Sequence, residues 1–350
     1  MDQTYYKITN NKECHNGFQY VDGLNVLDKP FELTGSCVKG GLYFTTIEHI
    51  FKFLDYGCYL REITLPQDCL WVQDPDGDKF RADKIILGKR YDLSDPLTFQ
   101  FLIEKGANIH VGNNSAVRWA SENGHLEVVQ YLVEKGANIY DEDNDALKTA
   151  SENGHFKVVE YLMEKGANIY ADNNYALRLA SENGHWEIVK LLVEKGADVN
   201  ADYNCALRHA SENGHLEIVK WLVKHGANID TGNNSELVCA SENGHLEVVK
   251  WFYEKGVNIH KTINCALEYA SWKGHFEVVK YLIEKGADIH DSDDRALIWA
   301  SRYGHLEIVQ YLIKNGADIH ACNDHALMWA CTNSHLEVVK YLKNHNRKKN

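Results

Sequence analysis

The sequence predicts a mainly α-helical fold, a helical-repeat solenoid preceded by a small α+β module. The string Ser-Glu-Asn-Gly-His begins at residues 121, 151, 181, 211 and 241, and a second glycine recurs every 30 residues from Gly106 to Gly316. Self-similarity at such a period is typical of repeat architectures. All four prolines lie at or before Pro96, which favours helices after it because proline interrupts helix interiors.

Residues 1–93 lack the period and are predicted to form the α+β module. Apolar, β-branched segments predict strands at 40–46, 58–66 and 69–73. Ile47–Tyr56 carries its apolar residues at helical spacing and is predicted to be a helix. Helical and strand segments thus share one short stretch of chain, as in small α+β folds.

One repeat can be followed from Asn174. A short helix runs to Gly184, a second helix occupies 186–195, and Gly196 stops it. Asn or Asp recurs at the start of each pair and is predicted to be an N-cap, its side chain accepting a hydrogen bond from its own first turn. These residues are Asn114, Asn144, Asn174, Asn204, Asn234, Asn264, Asp294 and Asp324.

Residues 94–350 are predicted to form the solenoid, because one helix pair cannot bury its apolar face alone and stacked neighbours can. A half repeat opens at Ser94-Asp95-Pro96, and about eight repeats of 30 residues follow. The last repeat lacks both glycines, with Ser334 in place of the first. We expect it to be a capping repeat.

The repeats resemble ankyrin repeats over about residues 94–345. The resemblance lies in the Gly-His turn, the helix that follows it and the Gly-Ala-Asn-Ile tail, as in GHLEVVQYLVEKGANI at 124–139. The family's usual period is about 33 residues with a Thr-Pro-Leu-His start, whereas here it is 30. The resemblance therefore implies ankyrin stacking with inter-repeat loops shortened to tight turns. The amino-terminal region and the 30-residue period resemble ankyrin-repeat proteins of giant, mimivirus-like DNA viruses.

Composition excludes several classes of function. The formal net charge of −13 argues against nonspecific nucleic-acid binding, which depends on Lys and Arg. No apolar run is long enough to span a membrane. Nine scattered cysteines without a Cys-x-x-Cys pair indicate free thiols in an intracellular compartment, and the viral resemblance implies the host-cell cytoplasm.

Eight histidines occupy the position after the first glycine of the repeat, or after Ser334 in the last repeat, and we expect them to be structural. Repeats related by about 10 Å, the distance between packed helices, place successive rings too far apart to share a zinc ion at about 2 Å. We therefore predict no metal site and no cofactor. The histidines are His125, His155, His185, His215, His245, His275, His305 and His335.

The resemblance places the two residues before each Gly-His pair on the concave groove. Five repeats have Glu-Asn there, which forms an acidic strip that is either a contact surface or a solvated face. Later repeats differ, and aromatic residues and Arg are enriched at interface hot spots. The candidate partner-binding residues are Trp272, Lys273, Arg302, Tyr303, Glu182, Glu212 and Glu242, with the loop residues Tyr140 and Tyr203.

The slot before the small Ala-Ser pair also varies, and two interpretations stay open. Its side chains either reach the same surface or fill space between repeats. They are Trp119, Thr149, Leu179, His209, Cys239, Tyr269, Trp299 and Trp329.

We predict a non-enzymatic scaffold that binds a partner protein, a host protein by the viral resemblance, on the concave face. A basic segment next to an apolar segment would fit the groove. No residues of the repeats combine a nucleophile, a base and an orienting group. The alternative is a targeting protein whose amino-terminal module has its own catalytic, ligand-binding or ubiquitin-ligase-recruiting activity.

Overall fold

The computed structural model describes residues 4–35, 38, 40–75, 77–229, 235–256 and 259–347. The chain divides into two compact units, Met1–Asp172 and Asn173–Asn350, and each is described by itself. The boundary at 93/94 between a module and the repeats stays a prediction.

The amino-terminal part of the first unit is an antiparallel sheet with the strand order β4-β9-β6-β1-β5-β8-β7 and a separate hairpin, β2-β3. Its core contains Tyr5, Leu42, Phe44, Ile63 and Ile85. The strands are β1 Tyr5–Thr9, β2 Cys14–His15, β3 Phe18–Gln19, β4 Gly23–Val26, β5 Leu42–Thr45, β6 Tyr59–Thr64, β7 Trp71–Gln73, β8 Lys79–Ala82 and β9 Lys84–Asp92. The three predicted strands are confirmed as β5, β6 and β7.

The predicted helix Ile47–Tyr56 is present as a 3₁₀ helix. Its apolar face turns toward the first repeat helices, α1 Pro96–Glu104 and α2 Val111–Glu122. The ring of Phe51 stacks on Phe99 at a centroid distance of 5.6 Å, and Ser115 Oγ donates a hydrogen bond to the Phe51 carbonyl at 2.7 Å. The sheet region and the first repeat are therefore packed together within the first unit.

The repeats are helix pairs with the predicted boundaries, and the opening helix α1 has Asp95 as its N-cap and Pro96 in its first turn. The first helices of the pairs are α2, α4 Asp141–Glu152, α6 Ala171–Glu182, α8 Ala201–Glu212, α10 Ser235–Glu242, α12 Ile259–Lys273, α14 Asp291–Tyr303 and α16 Ala321–Thr332. The second helices are α3 Leu126–Glu134, α5 Phe156–Glu164, α7 Trp186–Glu194, α9 Leu216–Lys224, α11 Leu246–Glu254, α13 Phe276–Glu284, α15 Leu306–Lys314 and α17 Leu336–Arg347. In the second unit α10, α12, α14 and α16 pack in sequence, as do α7, α9, α11, α13, α15 and α17.

In five repeats, three consecutive described residues with left-handed backbone join one repeat to the next. In α8 these are residues 202–204, with φ between 50° and 59°, and in α14 they are residues 292–294, with φ between 53° and 57°. Asn and Asp tolerate this conformation better than most residues, which explains their recurrence here. The loops are therefore tight turns, as the short period predicts.

The prediction that the recurring Asn or Asp caps its own helix is wrong at the described positions whose bonds the structure resolves. The side-chain oxygen of Asn174 accepts a hydrogen bond from the Asp198 amide at 2.9 Å, and that of Asn264 accepts one from the Asp288 amide at 2.8 Å. Asn174 has a left-handed φ of 58°, and its side chain reaches the loop that leaves the helix pair 24 residues later. Asn234 lies outside the described residues.

The structural role predicted for the Gly-His histidines is confirmed, and their bonds run between repeats. The ring Nε2 of His215 lies 2.9 Å from the Glu182 carbonyl oxygen, and that of His305 lies 2.8 Å from the Trp272 carbonyl oxygen. Partner and histidine are 33 residues apart, so each bond ties a repeat to the one before it. Burial lowers the pKa of His275, which favours the neutral ring.

The glycine before each histidine is required by the next repeat's ring. Gly214 has φ +77°, and a β-carbon there would lie 2.4 Å from His245 Nδ1. We expect Gly214→Ala to lower the free energy of unfolding by about 2–4 kcal/mol, the sum of left-handed strain and overpacking. Urea denaturation followed by circular dichroism measures this.

Gly256→Ala is the matched control, because Gly256 has φ +71° and no described atom within 4 Å of its added β-carbon. It should lose only the strain, about 1–2 kcal/mol, and His245→Ala should partly rescue Gly214→Ala. Equal losses at the two glycines would contradict the ring contact.

Asp294 tests the loop bond. It is 4% exposed, has φ 56°, and accepts a hydrogen bond from the Asp318 amide at 2.9 Å. Asp294→Ala should destabilise by about 1–3 kcal/mol, because the Asp318 amide loses its hydrogen bond to a charged acceptor. Asp294→Asn keeps an acceptor, as Asn264 does in a neighbouring repeat, and should stay within about 0.5 kcal/mol. If both variants unfold at the same urea concentration, the side chain has no such role.

Candidate interaction surface

The candidate residues of the later repeats meet at one surface of the second unit. Trp272 and Lys273 end α12, and Arg302 and Tyr303 end α14. The ring centroids of Trp272 and Tyr303 are 6.0 Å apart. These residues, with Tyr269, Trp299 and Trp329, are called the aromatic cluster below.

Two spacings build the aromatic cluster. Within a helix, residues three and four positions apart lie side by side, so Tyr269 meets Trp272 at 5.9 Å and Trp299 meets Tyr303 at 6.1 Å. Between repeats, the residue that follows one Ala-Ser pair contacts the residue that precedes the Ala-Ser pair of the next repeat, 27 positions later in the sequence. Trp272 therefore lies 6.1 Å from Trp299.

Arg302 occupies the equivalent position one repeat later. Its guanidinium lies 4.1 Å from the Trp329 ring centroid and 5.2 Å from the Trp299 ring centroid. Among the described residues no carboxylate lies within ion-pair distance of it. Its charge is therefore stabilised by aromatic faces, an interaction worth about 0.5–2 kcal/mol, and stays available to an incoming acceptor.

Lys273 belongs to the same surface but has a carboxylate partner. Its Nζ lies 3.4 Å from Glu242 Oε1 and 4.1 Å from the Trp272 ring centroid. Glu242 thus connects the acidic strip to the aromatic cluster.

The acidic candidates occupy the same 27-residue contact in earlier repeats. Glu182 Oε2 lies 2.9 Å from His209 Nδ1, whereas Glu212 is exposed. The pKa of the Cys239 thiol is raised to about 11, first by burial and then by Glu212 and Glu242. The contact between positions 27 apart therefore involves a glutamate in these repeats and aromatic residues in the later ones.

The loop candidates lie elsewhere. Tyr203 is 89% exposed on a left-handed turn. Tyr140, in the first unit, is exposed and its hydroxyl donates to the Lys165 carbonyl at 3.2 Å. Neither has a described contact with the aromatic cluster.

The residue before the Ala-Ser pair fills space between repeats in one repeat and reaches the candidate surface in others. Trp119 is buried at 6% exposure and packs on Phe99, so it fills space. Tyr269 is 39% exposed, and Trp299 and Trp329 are half-buried within the aromatic cluster. Sequence reasoning left these three undecided, and the available signal was the 27-residue spacing of Trp299 from Trp272 and of Trp329 from Arg302, with Tyr269 three residues before Trp272 on the same helix. Met328, 44% exposed, is a neighbour in sequence that no pattern singled out.

Two other kinds of site are absent from the described ranges. No three His, Cys, Asp or Glu side chains there are placed to hold a metal ion. No helix of that part of the chain combines the length and apolar character needed to cross a bilayer.

Family models for ankyrin repeats match residues 93–173, 170–233 and 290–350, and a second set matches 237–283 and 265–313. Two similar proteins are the ankyrin repeat proteins R868 and R229 of Acanthamoeba polyphaga mimivirus. R868 is 49% identical over 131 residues, 36% of this chain and 64% of that protein. R229 is 41% identical over 143 residues, 37% of this chain and 47% of that protein. The chain therefore spans less than two thirds of the length of either relative.

The uncharacterized protein R869 of the same virus is 42% identical over 134 residues, which are 36% of this chain and 94% of R869. Among solved structures, the human ASB11 ankyrin repeat domain matches with a TM-score of 0.50 and 26% identity. That match covers 56% of this chain and 96% of the ASB11 chain.

Arg302 provides a test of how the aromatic cluster is held together. Arg302→Met should lower the free energy of unfolding by about 1 kcal/mol, because the cation leaves the Trp299 and Trp329 rings. Urea denaturation measures it. Lys340→Met is the control, since Lys340 forms an exposed ion pair with Glu337 at 2.7 Å and should lose about 0.5 kcal/mol or less. A smaller loss for Arg302→Met than for the control would refute the stacking.

Proposed function

The chain belongs to the ankyrin-repeat family, and we propose that it is a non-enzymatic scaffold that binds a host-cell protein through the aromatic cluster and the acidic strip beside it. The aromatic cluster carries the proposal. Five aromatic rings and one unpaired guanidinium from three successive repeats form a surface on which Tyr269 and Tyr303 are 39% and 43% exposed. Trp, Tyr and Arg are the residue types that dominate binding energy at protein interfaces.

The charge distribution supports a two-part partner. Glu182, Glu212 and Glu242 offer carboxylates to a basic segment, and the rings beyond them offer apolar contact to the segment that adjoins it. Lys273 partly neutralises Glu242, so the strongest pull on a basic segment comes from the exposed Glu212. The concave position of this surface is part of the proposal, supported by the family resemblance.

A protein partner fits better than nucleic acid, because the formal net charge of the chain is −13 and phosphate binding depends on clustered cations. The host-cell cytoplasm is the proposed location. It is supported by the mimivirus relatives and by the free cysteines among the described residues, which suit a reducing compartment.

The test is capture from amoebal lysate by the immobilised full chain, followed by reconstitution with each purified protein captured. The double variant Trp272→Ala/Tyr303→Ala should weaken the affinity of a genuine partner about 30-fold or more, the loss typical of hot-spot residues. Circular dichroism checks that helix content is unchanged. Trp71→Ala is the control, because Trp71 is 49% exposed on β7 of the first unit, and it should bind as the wild type does.

The dependence of binding on salt concentration distinguishes the contribution of the acidic strip from that of the aromatic cluster. Binding by wild type should weaken as ionic strength rises, because screening acts on exposed charges, and Glu212→Gln should reduce that dependence. A partner held equally by wild type and the double variant would remove the proposed role of the aromatic cluster. A salt-independent partner would remove the role of the acidic strip.

A further inference from the structure

A cavity of about 290 Å³ opens in the sheet of the first unit, beside β1 and β5. These strands pair at Tyr6 and Thr45, whereas β1 pairs with β6 along all five residues. The Tyr43 carbonyl of β5 accepts a hydrogen bond from Lys7 Nζ at 2.8 Å. The Lys7 side chain therefore lies between β1 and β5 where the two strands separate.

Lys7 is a buried cation with one strong partner. It is 5% exposed, and its Nζ lies 4.7 Å from the Tyr20 ring centroid. Across the described part of the chain, no carboxylate lies within 4 Å of that nitrogen. Burial lowers the pKa of Lys7 to about 7. An ammonium has three N–H donors, so the charged form would be completed by an anion in the cavity.

The other walls combine a second cation with aromatic rings. Lys79 lines the cavity and lies 3.9 Å from Asp74 Oδ1. His15 and Tyr56 meet edge to face at 5.5 Å, with Phe53 6.2 Å from Tyr56. The pKa of His15 is lowered to about 4, first by burial and then by the charge of Lys7. Its ring is thus neutral near pH 7 and acts as an aromatic wall.

We propose that this cavity binds a small aromatic carboxylate, with the carboxylate on Lys7 and the ring against His15, Phe53 and Tyr56. The volume lies at the lower end of ligand pockets, about 300–1,000 Å³, and suits a single ring. No lining residue carries a carboxylate that would repel the ligand. The site is separate from the aromatic cluster and gives the amino-terminal module a ligand-binding role of its own.

Benzoate is the probe, and titration calorimetry on the full chain is the measurement. Benzoate should bind, and benzamide, its uncharged isostere, should bind about tenfold or more weakly, as expected when a hydrogen bond to a charged group is lost. Acetate, which lacks the ring, should be weaker by a similar factor. Absence of benzoate binding at millimolar concentration, or equal binding of either analogue, would overturn the proposal.

Lys7→Met should reduce benzoate affinity about tenfold or more, while Lys89→Met, an exposed lysine on β9, should leave it unchanged. If Lys7→Met does not fold, Tyr56→Ala takes its place. Tyr56 is 54% exposed, and the substitution removes only the contact between its ring and the ligand. Wild-type affinity in the folded Lys7→Met protein, or in Tyr56→Ala, would contradict the assigned contacts.

The pH dependence gives an independent readout. The carboxylate needs the ammonium form, so benzoate affinity should fall from pH 6.5 to 8.5 and binding should take up a proton. Facing Lys7 are His15, Lys79, Tyr20, Tyr43 and Tyr56, with Tyr6 next to it on β1. Arg61 lies opposite Lys7 on β6, and Asp22 and Glu13 pair with the Arg61 guanidinium. His15 is already neutral in this range, and burial raises the pKa of Tyr6 and Tyr20 away from it. Affinity that is constant across this range would exclude Lys7 as the charged partner.

Discussion

The hydrogen bond from a Gly-His histidine ring to the main chain of the preceding repeat, described at His155, His215, His305 and His335, is the constraint on which the stacking depends. It holds His215 to Glu182 and His305 to Trp272, and it requires a residue without a β-carbon, such as Gly214, where the ring passes. A second hydrogen bond runs from a loop amide to the Asn or Asp side chain 24 residues earlier, as from Asp198 to Asn174, and joins the start of a helix pair to the loop at its end. With both ends held, the period cannot change by one residue without breaking bonds in two places.

A fixed register makes the same two side-chain positions meet at successive junctions between repeats. The contact between positions 27 apart is Glu182 with His209 in one pair of repeats and Trp272 with Trp299 in another. Substitutions in a single slot therefore change a surface from acidic to aromatic without altering the backbone. The positions that hold the repeats together are therefore different from the positions that set the chemistry of this surface.

The repeat period, both helices of each pair and the tight loops were predictable from the sequence, because each is encoded within about 30 residues. The hydrogen-bond partner of Asn174 was not predictable. The same sequence pattern results whether its side chain accepts a hydrogen bond from its own helix or from the Asp198 amide. Trp119 and Trp299 occupy one slot, and only the neighbour decides their exposure, Phe99 in the first case. Strand β1 escaped prediction because Tyr5–Thr9 is buried on both faces and shows no alternation, so the cavity at Lys7 was also out of reach.

The most direct test of the central constraint is the tautomer of the Gly-His histidines, measured by nitrogen-15 side-chain NMR of the full chain at neutral pH. A carbonyl oxygen only accepts, so the ring must donate from Nε2. We predict a proton on Nε2 that exchanges slowly with solvent at His155, His215, His305 and His335, whose bonds measure 2.8–2.9 Å. Rings protonated on Nδ1, or averaging between tautomers, would contradict the account.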